Sequence, residues 1–129
     1  MRQLTDKVIL TTLPHYIACY FAYQTNILYS TIIFLSSSFS VIWHFFNQPR
    51  NILFYLDYTF AFLWFLTELI LAFISKDLFL VIVVILLNIL VVLSNKIKLS
   101  YMSYDTIHSI WHIISASKGI LVAYLINKN

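Results

Sequence analysis

The stretch LFLVIVVILLNILVVL, residues 78–93, decides the fold. Asn88 is its only strongly polar side chain, and its many β-branched residues vote weakly against a helix. An apolar run of nearly bilayer length, however, has lipid as its natural solvent. There the backbone finds no water to bond and must bond to itself, which makes the run helical.

The whole chain agrees with that reading. Of its 129 residues, 61% are hydrophobic and only 10% are charged. A soluble domain is nearer half apolar and a quarter charged, and so short a soluble chain would lack the polar surface to cover such a core. The formal charge of +3 is scattered, so no basic patch points to nucleic acid. Cys19 is the lone cysteine, which excludes an intrachain disulfide and a thiolate metal cluster.

Four more apolar runs flank residues 78–93, at 8–23, 27–46, 52–75 and 106–126. The expectation is an all-α, polytopic transmembrane bundle of about five crossings in a single domain. The first run is short and interrupted by Pro14-His15, and no small-x-small cleavage site follows it as in a signal peptide. Gln24-Thr25-Asn26 and Lys76-Asp77 read as tight turns, and Asn47-Gln48-Pro49-Arg50-Asn51 as a loop. Residues 94–105 read as a polar loop carrying Lys96 and Lys98.

Five crossings bring distant residues to one depth. Helix two would end, and helices three and five would begin, on the same membrane face. His44, Asp57 and the pair His108 and His112 therefore lie level. His108 and His112 are four apart and share one helical face, as do Ser40 and His44. Three neutral imidazoles with one position left open suit a catalytic zinc, and a nearby carboxylate can take a proton from water. Ionisable groups inside a membrane are expensive and mark function by default.

Other uses of these residues exist. Serines 36, 37, 38 and 40 could let helices pack closely, and Asp57 could pair with Lys118. His15 is expected to pair with a polar group on another helix. Glu68, three turns after Asp57, is a candidate partner for Lys118. A Ser40-His44-Asp57 hydrolase would lack a nucleophile elbow and leave His108 and His112 idle. A haem would leave Ser40 and Asp57 unexplained.

The order Ser-x-x-x-His, Asp, His-x-x-x-His resembles the CREST superfamily of seven-helix membrane hydrolases. That group includes alkaline ceramidases, adiponectin and progestin receptors, and a myomaker-like branch. SVIWH (40–44) is similar to the second-helix motif, Leu56-Asp57-Tyr58 through Leu63-Trp64 to the aspartate segment of ceramidases, and IHSIWH (107–112) to the last-helix motif of the myomaker-like branch. The resemblance implies that His44, His108 and His112 bind Zn²⁺ while Ser40 and Asp57 flank the water. It covers three short patches, and five crossings replace seven.

The expected function is zinc-dependent hydrolysis of an amide or ester in a membrane lipid. A second copy of the chain could complete a pocket that the missing helices would otherwise wall. The alternatives are a receptor-like or membrane-remodelling protein with structural zinc, and an inactive scaffold. Arg2, Lys7, Arg50, Lys96 and Lys98 gather on one face, which the positive-inside rule places in the cytoplasm.

Overall fold

The structure, a computed structural model, describes residues 1–96 and 102–128. In chain order it contains α1 (Lys7–Leu10), α2 (Pro14–Thr25), α3 (Ile27–Phe45), α4 (Ile52–Ile74), α5 (Leu78–Lys96) and α6 (Tyr104–Lys128). Among the described residues there is no strand, and the all-α helical bundle is as expected. Lys98 lies outside the described residues.

Helices α3, α4, α5 and α6 are each long and apolar enough to cross a membrane. The expected first crossing is instead a broken rod. Pro14 has no N–H to bond back along the helix, and the chain tightens around it. Thr12, Leu13, His15 and Tyr16 donate to the carbonyls of Ile9, Leu10, Thr12 and Leu13, three residues back in each case. At 12 residues, α2 is only about 18 Å long and cannot cross alone.

The rod nevertheless runs the height of the bundle. Beyond its N-terminal end, the Arg2 amide donates to the Phe45 carbonyl at the end of α3, at 2.9 Å. At the other end, Thr25 Oγ1 reaches the Ala123 carbonyl near the end of α6, at 3.4 Å. The chain thus passes the bundle five times, with four passages made by a single long helix.

Short polar side chains make the tight turns. Asn26 Oδ1 accepts from the amides of Leu28 and Tyr29 and starts α3 after a one-residue break. Asn51 Oδ1 caps α4 through the Leu53 amide, and Asp77 Oδ1 accepts from the Phe79 and Leu80 amides to start α5. Asn47, Gln48 and Lys76 adopt positive φ of 63°, 57° and 57°, so the chain reverses without glycine. The expected polar loop is shorter than its sequence suggests. Helix α5 continues through Ser94 to Lys96, and α6 starts at Tyr104, so both flanking helices extend into the segment that reads as loop.

Packing is uneven, and the unevenness positions the site. Helix α2 nests between α3 and α6, and α3 lies along α4, whereas α4 and α6 barely touch. The chain's one glycine, Gly119, permits the close approach of α2 and α6. A Cβ there would meet Ala18 Cβ at 3.1 Å and Trp64 Cζ2 at 2.5 Å. Between α4, α5 and α6 a cavity of about 420 Å³ remains.

Candidate metal centre

Two helix ends build the centre. His44 sits on the last turn of α3, and His108 and His112 on the first turns of α6. All three are buried, at 0%, 1% and 0% exposure. One ring nitrogen from each lies within 4.8 Å of the others, so the trio could hold one metal ion. His44 Nε2 and His112 Nε2 are 3.0 Å apart. The ring centroids of His44–His108, His44–His112 and His108–His112 are 4.9, 5.1 and 4.6 Å apart.

The unpaired atom fits a cation. His108 Nε2 is buried without a hydrogen-bond partner, an arrangement that costs stability unless something, such as an ion shared with His44 Nε2 and His112 Nε2, satisfies it. Three imidazole donors without a thiolate suit a borderline divalent ion.

Two residues support the ligands, and the sequence reading assigned neither a role. Gln48 Nε2 lies 2.8 Å from His44 Nδ1. A half-turn of the carboxamide presents its oxygen to an Nδ1–H and leaves His44 Nε2 free to ligate. Tyr104 stacks on His108 with centroids 5.2 Å apart, its hydroxyl 3.5 Å from His108 Nδ1. Tyr104 precedes His108 by one helical turn, the same spacing that joins His108 to His112. The signal was therefore present, but an expected helix start at 106 placed Tyr104 outside it.

The structure brings the remaining expected residues to the same place. Asp57 on α4 and Ser40 on α3 are both 4% exposed and line the cavity together with His112. The Ser40 hydroxyl has no hydrogen-bond partner. The cavity continues past them to Asn88 and Lys118.

Lys118 pairs with Glu68 rather than Asp57. Its Nζ donates to Glu68 Oε2 at 2.6 Å and to Asn88 Oδ1 at 3.1 Å. Glu68 also accepts from Tyr29 Oη at 2.9 Å, Trp64 Nε1 at 2.7 Å and Asn88 Nδ2 at 3.1 Å. Four donors on one carboxylate, all buried, tie α3, α4, α5 and α6 together. His15 departs from expectation. It is 4% exposed, both ring nitrogens lack hydrogen-bond partners, and it packs edge-on against Trp64 and His112.

The N-terminal segment closes the end of the bundle that holds the histidines. Arg2 makes a two-pronged pair with Asp105, at 2.9 and 3.1 Å, and a longer contact of 3.3 Å with Asp6. The Asp105 carboxylate, by bonding the Arg2 guanidinium, raises its pKa further above the ordinary value. Lys7 Nζ donates to Thr106 Oγ1 at 2.7 Å, tying the same segment to α6.

Comparison with protein-family models, curated proteins and solved structures finds no match to this chain.

Proposed function

We propose that this chain is a zinc-dependent membrane hydrolase that cleaves an amide or ester bond in a lipid, as its resemblance to the CREST hydrolases implies. The observation that carries the reading is the trio His44, His108 and His112 set beside a cavity that Asp57 and Ser40 also line. Phe62 and Val92, 59% and 52% exposed on α4 and α5, also line the cavity, so its wall reaches the lipid-facing surface. An acyl chain entering there meets an apolar wall that includes Phe65 and Val91.

Zinc held by the three imidazoles would polarise the carbonyl and activate a water at neutral pH. Asp57 takes a proton from the water as its oxygen bonds the carbonyl carbon. Ser40, its hydroxyl unpaired, donates to the carbonyl oxygen as charge develops there. The bond from carbonyl carbon to nitrogen or ester oxygen then breaks. Asp57 returns its proton to the departing amine or alcohol, leaving a fatty acid as the second product. Burial keeps bulk water away from both residues and strengthens their interactions with the reacting groups.

The test is turnover of lipid amides and esters by the purified protein beside Asp57→Asn. The expected result is a fall of at least about a hundredfold, typical for a lost general base, with metal content unchanged. Equal metal in both proteins with no turnover in either would overturn the hydrolase reading and leave a structural metal.

A further inference from the structure

The metal centre joins two helices that do not pack on each other. Among the described residues α3 and α6 have no backbone packing, and α2 lies between them. Side chains cross the gap, His44 toward His108 and His112, and Trp43 with its ring centroid 6.3 Å from that of His108. The ligands of one ion must keep a fixed spacing. Something has to hold these two helix ends at that distance.

The N-terminal segment is placed to do so. The Arg2 amide donates to the carbonyl of Phe45, next to His44, at 2.9 Å. The Arg2 guanidinium engages both oxygens of Asp105, three residues before His108, at 2.9 and 3.1 Å. One residue therefore grips α3 with its backbone and α6 with its side chain. Behind it, Asp6 takes the longer 3.3 Å contact from Arg2 and caps α1 by accepting from the Val8 amide at 3.0 Å. Helix α1 packs against both α3 and α6, with Val8 and Ile9 buried. A planar fork held by two bonds fixes direction as well as distance, which a single ammonium does not.

We propose that Arg2 is a positioning residue for the metal centre, clamping the end of α3 to the start of α6 so that His44 meets His108 and His112 at the spacing one ion requires. The inference rests on the three histidines holding a metal, and it stands whether or not the chain hydrolyses a lipid. Among the described residues Arg2 hydrogen-bonds none of the three histidines, and it is not part of the cavity wall. Its effect therefore passes through the two helix ends. Without the clamp those ends sample other spacings, and an ion that must restore the competent one binds with a lower apparent affinity.

A clamp and a bare charge predict opposite signs, which decides the test. Cobalt(II), visible by its absorption, is titrated against a competing chelator into the purified full-length protein in nanodiscs. If Arg2 acted only through its charge, Arg2→Ala would remove a repelling cation and tighten metal binding, while Asp105→Asn would weaken it. With a clamp, both substitutions weaken binding by about threefold to fivefold, the worth of one partly exposed ion pair. The double variant is then no worse than either single one, because the two residues share one contact. Arg2→Lys, which keeps the charge without the fork, recovers part of the loss. Added salt brings the wild-type affinity down toward that of Arg2→Ala. The bands of bound cobalt keep their positions at saturation, since the same three ligands bind.

Tighter binding in Arg2→Ala would overturn the clamp and leave a charge effect in its place. So would an unchanged affinity with faster release of the ion, which would make the segment a gate over the centre, or losses that simply add in the double variant. No cobalt bound by wild type would sink the metal centre and the clamp with it. Stoichiometric cobalt held equally by wild type and every variant would sink the clamp alone.

Discussion

His44 Nε2 lies 3.0 Å from His112 Nε2, although 68 positions separate the two residues. At that spacing one ring can donate its N–H to the other's lone pair, or both lone pairs can face one cation. Ligands about 2.05 Å from a tetrahedral zinc stand roughly 3.3 Å apart, close to the observed spacing. On the proposed function, one zinc per chain is expected by elemental analysis of protein purified without chelator. His112→Ala should fall well below one per chain, and full stoichiometry in that variant would contradict a centre built on this residue.

Gln48 should matter to metal binding without touching the metal. Its carboxamide holds His44 Nδ1 at 2.8 Å and so selects which ring nitrogen stays free. Removing such a partner usually costs about 10–100-fold in metal affinity. Chelator competition on Gln48→Ala should show a loss in that range, with the fold intact by circular dichroism. An unchanged affinity would mean that the loop merely follows the end of α3.

The two ionic contacts should differ sharply in worth. Lys118 and Glu68 are 5% and 0% exposed, so Lys118→Met leaves a carboxylate in the interior with one donor fewer. Breaking a buried pair from one side costs about 3–5 kcal/mol, whereas replacing both partners costs much less. Unfolding in detergent should place Lys118→Met and Glu68→Gln well below wild type, and the double variant above the worse single one. The Arg2–Asp105 pair is 18% and 33% exposed. Solvent screens it, so Arg2→Ala should cost no more than about 1 kcal/mol, a loss that shrinks as salt is added.

The bundle was legible because lipid leaves the backbone one choice, and hydropathy then marks each crossing. The three histidines were legible for a related reason. Helix direction alternates, so residues at the ends of separate runs become level whether or not their side chains are known. Hydropathy cannot see what a proline does to hydrogen bonds, so residues 8–23 read as one helix where Pro14 breaks it into α1 and α2. Nor can spacing along one helix find a partner on another. Lys118 could have met Asp57 or Glu68, and only the packing of α5 against both α4 and α6 brings Glu68, Asn88 and Lys118 together. His15 failed the expectation of a polar partner for the same reason. What surrounds it is set by how α2 seats against α6, and that depends on the missing side chain at Gly119.

Gly119 is thus the point where a small change should disturb both packing and site. An added Cβ would stand 2.5 Å from Trp64 Cζ2, inside any normal contact, and 3.1 Å from Ala18 Cβ. Trp64 cannot swing aside freely, because its Nε1 is held by Glu68 at 2.7 Å and its edge meets the His15 ring. Relief must come from α2 moving away from α6 or from the indole leaving its carboxylate. Overpacking of this kind costs about 1–3 kcal/mol, so Gly119→Ala should unfold measurably earlier in a thermal melt. Tryptophan emission should shift as well if the indole is what moves. Trp64→Phe removes the donor and shortens the ring edge that the new methyl would strike. Gly119→Ala should accordingly be less damaging in a Trp64→Phe background than in wild type, and equal costs in the two backgrounds would show that the strain falls on α2 and Ala18 instead.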